Sequence, residues 1–367
     1  MMRARPRGAA VLLAGLCMVA GPAACGQAGG AREPSGPASG GEVKIGVLLP
    51  DNTSRLYHFD KPLIEKKIRQ LCPECTVETV SAEHDVATQQ QQMDAMITKR
   101  VRVLILDAVD SKSLRAPVES ARAAGIPVVA YDRLVEGPVS SYVSFNGERV
   151  GRLQGEALLK ALGDKAHGAQ IVMMNGASTD PNSAWFEQGA LAVLKGRVKI
   201  GKAYETAGWR PENANLNMSA AISALGADHI DGVYSANDGL AAGVISALRA
   251  AKVDPLPPIT GQDAELSAIQ SIVKGDQYMT VYKPFEPEAD TAAAMAVALG
   301  RGKKLDGITT HTVNSPTTRG IPAVLLTPVS VTVHNIRNTV VKDGMYTIDQ
   351  ICTPKFASAC RAAGLTG

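Results

Sequence analysis

The stretch PVVAYDRLV, residues 127–135, sets an apolar run directly against a carboxylate and a guanidinium, Asp132 and Arg133. The arrangement recurs along the chain. Other apolar runs of strand length end in PDNTSRLYHFD, in Asn175 followed by GASTDPN, in TAGWRPEN, in Asn237-Asp238, in GQDAE and in Lys283-Pro284. Asp, Asn, Arg, Lys and one Trp gather at these ends, and that set suits a polyol. Each hydroxyl both donates and accepts. A carboxylate accepts from it, a guanidinium or ammonium donates to it, and an amide does either. An aromatic ring covers the apolar face of a sugar. Hydrogen bonds to charged groups contribute roughly 1.5–3 kcal/mol each. About four or five of them, less the cost of immobilising the ligand, reach the micromolar range, about −8 kcal/mol. Alone, Asp132 and Arg133 would read as a water-exposed ion pair contributing under ~1 kcal/mol. Matching chemistry at the other strand ends favours a ligand site.

The elements that must position these residues are regular. From Glu42 onward, continuous apolar runs (VKIGVLL, VRVLILDA, IPVVAYD) alternate with helical patterns such as DKPLIEKKIRQLC and VATQQQQMDAMITKR, the latter with Asp85 as N-cap. Such alternation predicts βαβ units and a parallel sheet. After YVSFNG the cycle restarts, from ERVGRLQGEALLKALG to a last strand near AVLLTPVSV, with PPITGQDA read as a strand on the way. Two successive α/β runs predict two lobes of similar build. No Gly/Pro/Ser-rich linker separates them, which argues for several short crossings. Open parallel sheets bind ligands beyond the carboxyl ends of their strands, where the polar residues stand.

The 367 residues suffice for roughly two domains. Net charge is +3, and Arg3, Arg5 and Arg7 supply part of it. The body is nearly neutral, without a basic stripe for nucleic acid. Those arginines precede an apolar run from Ala9 to Ala24, shorter than the ~20 residues of a membrane span. Small residues then lead into Cys25. Residues 1–24 read as a signal peptide and GPAACG as a lipobox, with Pro22 where Leu or Val is commoner. Lipid on Cys25 would hold the exported protein at the outer face of the cell membrane. Residues 25–41 read as a flexible tether. Four further cysteines in an oxidising compartment imply disulfides, with the local pairings Cys72–Cys75 and Cys352–Cys360 expected. CPEC has the spacing of a redox dithiol, but that motif opens a helix, whereas CPEC follows one and leads into a strand. The histidines are scattered, and no metal site or cofactor is expected.

GVLLPDNTSR, GIPVVAYDRLV, YVSFNGERVGRLQG, GWRPENA, YSANDGLAAGVISAL, GQDAELSAIQSIVKG and MTVYKP together resemble the type 1 periplasmic sugar-binding proteins, the receptors of ABC importers, and most nearly those that bind xylose. The likeness runs in order from about Val43 to about Gly344. It implies two Rossmann-like lobes joined by three hinge strands and closing on one monosaccharide, D-xylose or a related aldose. It divides the chain into a first lobe of residues 42–146 plus about 284–328 and a second of about 147–283 plus about 329–350. A C-terminal tail, 351–367, follows. The sugar-contacting residues it implies are Arg55, Asp132 and Arg133 from the first lobe, Asp180, Asn182, Trp209, Asn237 and Asp263 from the second, and Lys283 at a crossing. Leu56 stands where xylose binders commonly have Trp. The partners implied are the sugar and a permease, for a monomeric receptor. A sugar sensor handing its closed form to a chemoreceptor or sensor kinase is the alternative.

Each residue also has a structural reading. Trp209 could fill a core, Asn182 could cap the helix that follows it, Asn237 or Asp238 could cap the next, and Lys283 could be a solvated lysine. Other functions fit less well. A sugar-responsive repressor would carry a helix-turn-helix before Val43, where a signal and tether stand. An enzyme would need a nucleophile with its base, and no GxSxG element is present. GxGxxG and GxxxxGK[ST] are also absent, so nucleotide binding is unsupported.

Overall fold

The computed structural model describes residues 43–51 and 59–366. The proposed signal peptide, Cys25, the tether, Arg55 and Leu56 lie outside the described residues. In chain order the elements are β1 (Lys44–Leu49), α1 (Lys61–Leu71), β2 (Thr76–Ser81), α2 (Val86–Thr98), β3 (Val103–Leu106), α3 (Arg115–Ala123), β4 (Val128–Tyr131) and β5 (Ser141–Phe145). Then come α4 (Gly147–Leu162), β6 (Gln170–Asn175), α5 (Pro181–Leu194), β7 (Lys199–Glu205), α6 (Pro211–Leu225), β8 (Gly232–Ser235), α7 (Asp238–Ala250), α8 (Leu266–Lys274) and β9 (Met279–Tyr282). They are followed by α9 (Phe285–Gly300), β10 (His311–Val313), β11 (Ile321–Leu326) and β12 (Val329–Thr332).

The first lobe is built on a sheet of order β10-β11-β5-β4-β3-β1-β2, parallel except for β10. Its central strands β3 and β4 are buried at every residue, as expected for a sheet with helices on both faces. Ile64 and Ile68, one turn apart on α1, supply that helix's buried stripe. The alanine-rich α9 sits against the same core through Ala289, Ala292, Ala293 and Ala296.

In the second lobe β7, β6 and β8 are parallel, and β9 pairs antiparallel with β12. PPITGQDA links them as extended chain rather than as a regular strand, through isolated bridges at Ile259 and Gln262. AVLLTPVSV is likewise two strands, not one. β11 belongs to the first sheet and β12 pairs in the second, with Thr327-Pro328 between them.

The chain therefore passes between the lobes after β5, after β9 and between β11 and β12. The crossings touch: Asn146 N donates to Leu326 O at 3.1 Å. The segment set apart in the sequence as a C-terminal tail packs into the second lobe, with Ile351, Cys360 and Leu365 buried beside Ile269 and Ile272 of α8. Cys72 is paired with Cys75, and Cys352 with Cys360. No described helix is long and apolar enough to cross a membrane.

Helices α4 and α5 meet at glycines. A Cβ on Gly151 would overlap the Phe186 carbonyl, and one on Gly189 the Glu148 carbonyl. Gly151→Ala should therefore destabilise by about 1–3 kcal/mol through overpacking. A lowered melting temperature in thermal unfolding checks this.

Candidate functional site

The carboxyl ends of both sheets face one cavity of about 600 Å³ between the lobes. All eight described residues that the resemblance implied line it: Asp132, Arg133, Asp180, Asn182, Trp209, Asn237, Asp263 and Lys283. Each stands just beyond a strand. Asp132 and Arg133 follow β4, Asp180 and Asn182 follow β6, Trp209 follows β7, and Asn237 follows β8. Asp263 follows the extended segment at Ile259–Gln262, and Lys283 follows β9.

Asp132 and Arg133 do not pair with each other through their side chains. Arg133 Nε lies 2.9 Å from Asp180 Oδ2 on the opposite lobe and 3.5 Å from Asp107 Oδ1 behind it. Its Nη1 donates to Ala108 O at 3.1 Å. Burial works against the Arg133 charge, yet the carboxylates of Asp107, Asp180, Asp132 and Asp51 outweigh it, and its pKa is raised. Burial also raises the pKa of Asp180 against the pull of Arg133. Lys283, buried at the second crossing, lies 3.0 Å from Asp263 Oδ1 and 3.7 Å from Asp132 Oδ1. Its ammonium also faces the rings of Phe145 and Phe186, 5.8 and 5.9 Å from their centroids. The lobes touch again where Asn182 Nδ2 donates to Asp132 O at 3.1 Å and Ser111 N to Thr179 O at 3.1 Å. This is a closed cleft.

The structural readings of these residues can now be sorted. Asp180, not Asn182, caps α5, accepting from Asn182 N at 2.9 Å, so the Asn182 amide is left to reach across the cleft. Asn237 caps α7 by accepting from Leu240 N at 2.9 Å. Asp238 is buried and fastens the loop that carries Asp263. It accepts from Gln277 Nε2 at 2.7 Å, Thr280 Oγ1 at 2.9 Å and Glu265 N at 3.0 Å. Trp209 is half-buried against Gly176, where a Cβ would occupy the indole's place, with Phe186 edge-on at 6.4 Å. Asp132, Trp209 and Asp263 have φ of 53°, 57° and 94°, a region in which non-glycine residues are strained.

Sequence reasoning missed Asp51, His84, Phe186, Gln262 and Glu265 on the cavity wall. Asp51, Gln262 and Glu265 stand in segments that close apolar runs, PDNTSR and GQDAE, and the position beyond a strand was the available signal. Phe186 lies within a helical pattern and His84 in a polar turn, where nothing in the sequence marks them. Asn175, at the end of β6, donates to Glu187 Oε1 at 2.8 Å and does not line the cavity.

Two α/β lobes, three crossings and a polar cleft at the strand ends define a bilobal ligand-binding protein, and residues 45–304 match the periplasmic binding protein domain family, to which this chain belongs. It is similar to the D-xylose-binding periplasmic protein of Escherichia coli, 36% identical over 311 residues, covering 83% of this chain and 91% of that protein. It is 31% identical over 327 residues to the multiple sugar-binding periplasmic receptor ChvE of Rhizobium radiobacter, covering 84% of this chain and 92% of that one. Among solved structures, an ABC transporter solute binding protein from Clostridium phytofermentans with bound β-D-glucose superposes with a TM-score of 0.78 at 29% identity, covering 84% of this chain and 99% of that one. These relatives are binding proteins rather than enzymes.

Two outcomes follow from the geometry. Gly176→Ala should push the Trp209 indole off its support, read as a shift in tryptophan emission in a Trp185→Phe background that leaves Trp209 as the only tryptophan. Burial, with Asp263 and Asp51 beside it, pushes the Glu265 carboxyl up to about 7 from its ordinary 4.5. The folded protein thus holds a proton that the unfolded chain releases. That contribution to stability is whole below 4.5 and is lost as pH rises through 7. Glu265→Gln should accordingly show a smaller fall in melting temperature between about pH 5 and about pH 8 than the unsubstituted protein.

Proposed function

We propose that the chain is an extracytoplasmic receptor that captures a monosaccharide, D-xylose or a related aldose, in the interlobe cleft and delivers it to an ABC sugar importer. The observation that carries this reading is the convergence of eight polar and aromatic residues, drawn from both lobes and a crossing, on one cavity of about 600 Å³. Volumes of this order suit small ligands. The relatives, named for D-xylose and multiple sugars, support the ligand class.

The roles follow from the chemistry of each group. Asp132 and Asp263 accept from sugar hydroxyls, while Arg133 and Lys283 polarise those carboxylates and donate to ring or hydroxyl oxygens. Asn182 and Asn237 match hydroxyls that must both give and take. Trp209 covers the apolar face of the ring. Asp180 acts chiefly by holding Arg133 across the cleft. Arg55 would add a donor from the loop after β1. Closure then depends on one ligand touching both lobes, and the closed form is what a permease would read.

The remaining assignments belong to the same reading. Residues 1–24 direct export, Cys25 carries lipid, and residues 25–41 tether a monomer. Its lobes comprise 42–146 with about 284–328, and about 147–283 with about 329 onward. Cys72–Cys75 and Cys352–Cys360 form as disulfides after export.

Calorimetric titration with D-xylose, D-glucose, D-galactose, L-arabinose and D-ribose tests the function. Saturable one-to-one binding of at least one sugar is expected, weakened at least about a hundredfold in Arg133→Ala and in Asp263→Ala, since each leaves buried charge unpaired. A folded protein that gives no heat with any of them refutes the proposal.

A further inference from the structure

Glu265 has no role among the sugar-contacting residues proposed for the cleft, yet it faces the same cavity. Its main chain is fixed, because Glu265 N donates to Asp238 Oδ2 at 3.0 Å. It is also the N-cap residue of α8, where a carboxylate would ordinarily turn back to the free N–H groups. The Glu265 side chain does not do so, and among the described residues it makes no hydrogen bond or ion pair. The charges that act on its carboxyl are themselves acidic, Asp263 and Asp51.

Among the described residues, the cations on the cavity wall make no ion pair with Glu265. Arg133 is held by Asp180 and Asp107, and Lys283 by Asp263 and Asp132. His84 Nε2 lies 4.0 Å from Asp51 Oδ2. Arg210 is exposed. Three residues before Glu265 in the chain, Gln262 is 97% buried on the cavity wall, and its Oε1 has no donor among the described residues. Acceptors therefore outnumber donors at this end of the cavity. A ligand that reaches Glu265 and Gln262 Oε1 must bring donors, and an anionic group there would meet, at Glu265, a carboxylate that no cation among the described residues partners.

We infer that Glu265 sets the charge selectivity of the cavity: the ligand group beside it is a hydroxyl or a cationic amine, so that neutral aldoses and amino-substituted aldoses enter and sugars bearing a carboxylate there are rejected. This rests on the monosaccharide reading and adds a selectivity residue and a second ligand class, the amino sugars, to it.

The test compares D-glucose with its amino-deoxy derivatives at C2, C3 and C6 and with D-glucuronic acid, and D-xylose with its amino-deoxy derivatives at C2 and C3. Each is titrated calorimetrically into the protein and into Glu265→Gln and Glu265→Asp at about pH 8. In the unsubstituted protein, at least one amino derivative should bind as tightly as its parent within about threefold, and the uronic acid at least about tenfold more weakly. Glu265→Gln should lower the amino-to-parent affinity ratio about tenfold and raise the uronate-to-parent ratio. Glu265→Asp, which keeps the charge, should restore part of the amino preference. A purely structural role would shift all ligands alike and leave the ratios in place. Neutral aldoses that bind, with ratios unmoved within about twofold by Glu265→Gln, overturn the inference alone. Failure of every neutral aldose to bind overturns the sugar-binding reading and the inference with it.

Discussion

The contact between Arg133 and Asp180 is the constraint around which the site is arranged, because its two charges belong to different lobes. At 2.9 Å, with little of either side chain exposed, both ions have given up most of their water. Removing two charges from water costs several kcal/mol per ion, and mutual attraction repays that only when other polar groups assist. The assistance is visible. Asp107 and the Ala108 carbonyl hold the guanidinium from behind, and Asn182 N holds Asp180. Such a pair lies near energetic balance, so it can lock a closed cleft without driving closure alone. The surplus that closes the lobes has to come from contacts that a ligand makes to both of them.

Lys283 extends the same logic to the crossings. Its ammonium sits between Asp263 of the second lobe and Asp132 of the first, on a segment that joins the two. Displacement of either wall therefore changes the field at a residue on the hinge. The carboxylates are themselves held in costly backbone conformations, about 1–3 kcal/mol for each residue with positive φ. Tyr142 Oη and Asn182 Nδ2 both donate to the Asp132 carbonyl, at 2.9 and 3.1 Å. Beside Asp263, Thr280 Oγ1 accepts from Ala264 N at 3.1 Å while donating to buried Asp238. Gly261 has no room for a Cβ because Asp238 and Gln277 occupy its place. The strain at the site is offset by packing behind it.

Much of this was legible in the sequence, for a physical reason. A parallel strand buried on both faces must be apolar throughout, so its end is marked by the first polar residue, and the fold puts those ends in one place. Asp132 was readable in that way, whereas Asp180 and Asp263 stand further along their segments, behind Asn175 and Gln262, and were singled out by the family resemblance. The partners were not readable. Neighbours in the chain, Asp132 and Arg133 suggest an ion pair, whereas the left-handed turn at Asp132 sends one side chain to Lys283 and the other to Asp180. Caps were ambiguous for a similar reason: Asp180 and Asn182, or Asn237 and Asp238, are equally fit to cap a helix by type. Only the positions of Gln277 and Thr280 decide that Asp238 faces inward. Breaks in strands were missed where proline acts through the ladder rather than through hydrophobicity, as at Thr327-Pro328.

Groups on the cavity wall differ in what they ask of a ligand. Arg133 and Lys283 already have protein partners, so a ligand must share or displace these at little net gain. Trp209 Nε1 and Gln262 Oε1 are buried without hydrogen-bond partners among the described residues, and the Glu265 carboxylate makes none. A buried donor or acceptor left unmade costs about 1–3 kcal/mol. A ligand that supplies the missing group at such a point recovers that cost, and one lacking it does not. Discrimination of this kind is far sharper than that of an apolar pocket, which senses mainly size. The shared charges thus serve closure, and the unshared acceptors serve choice.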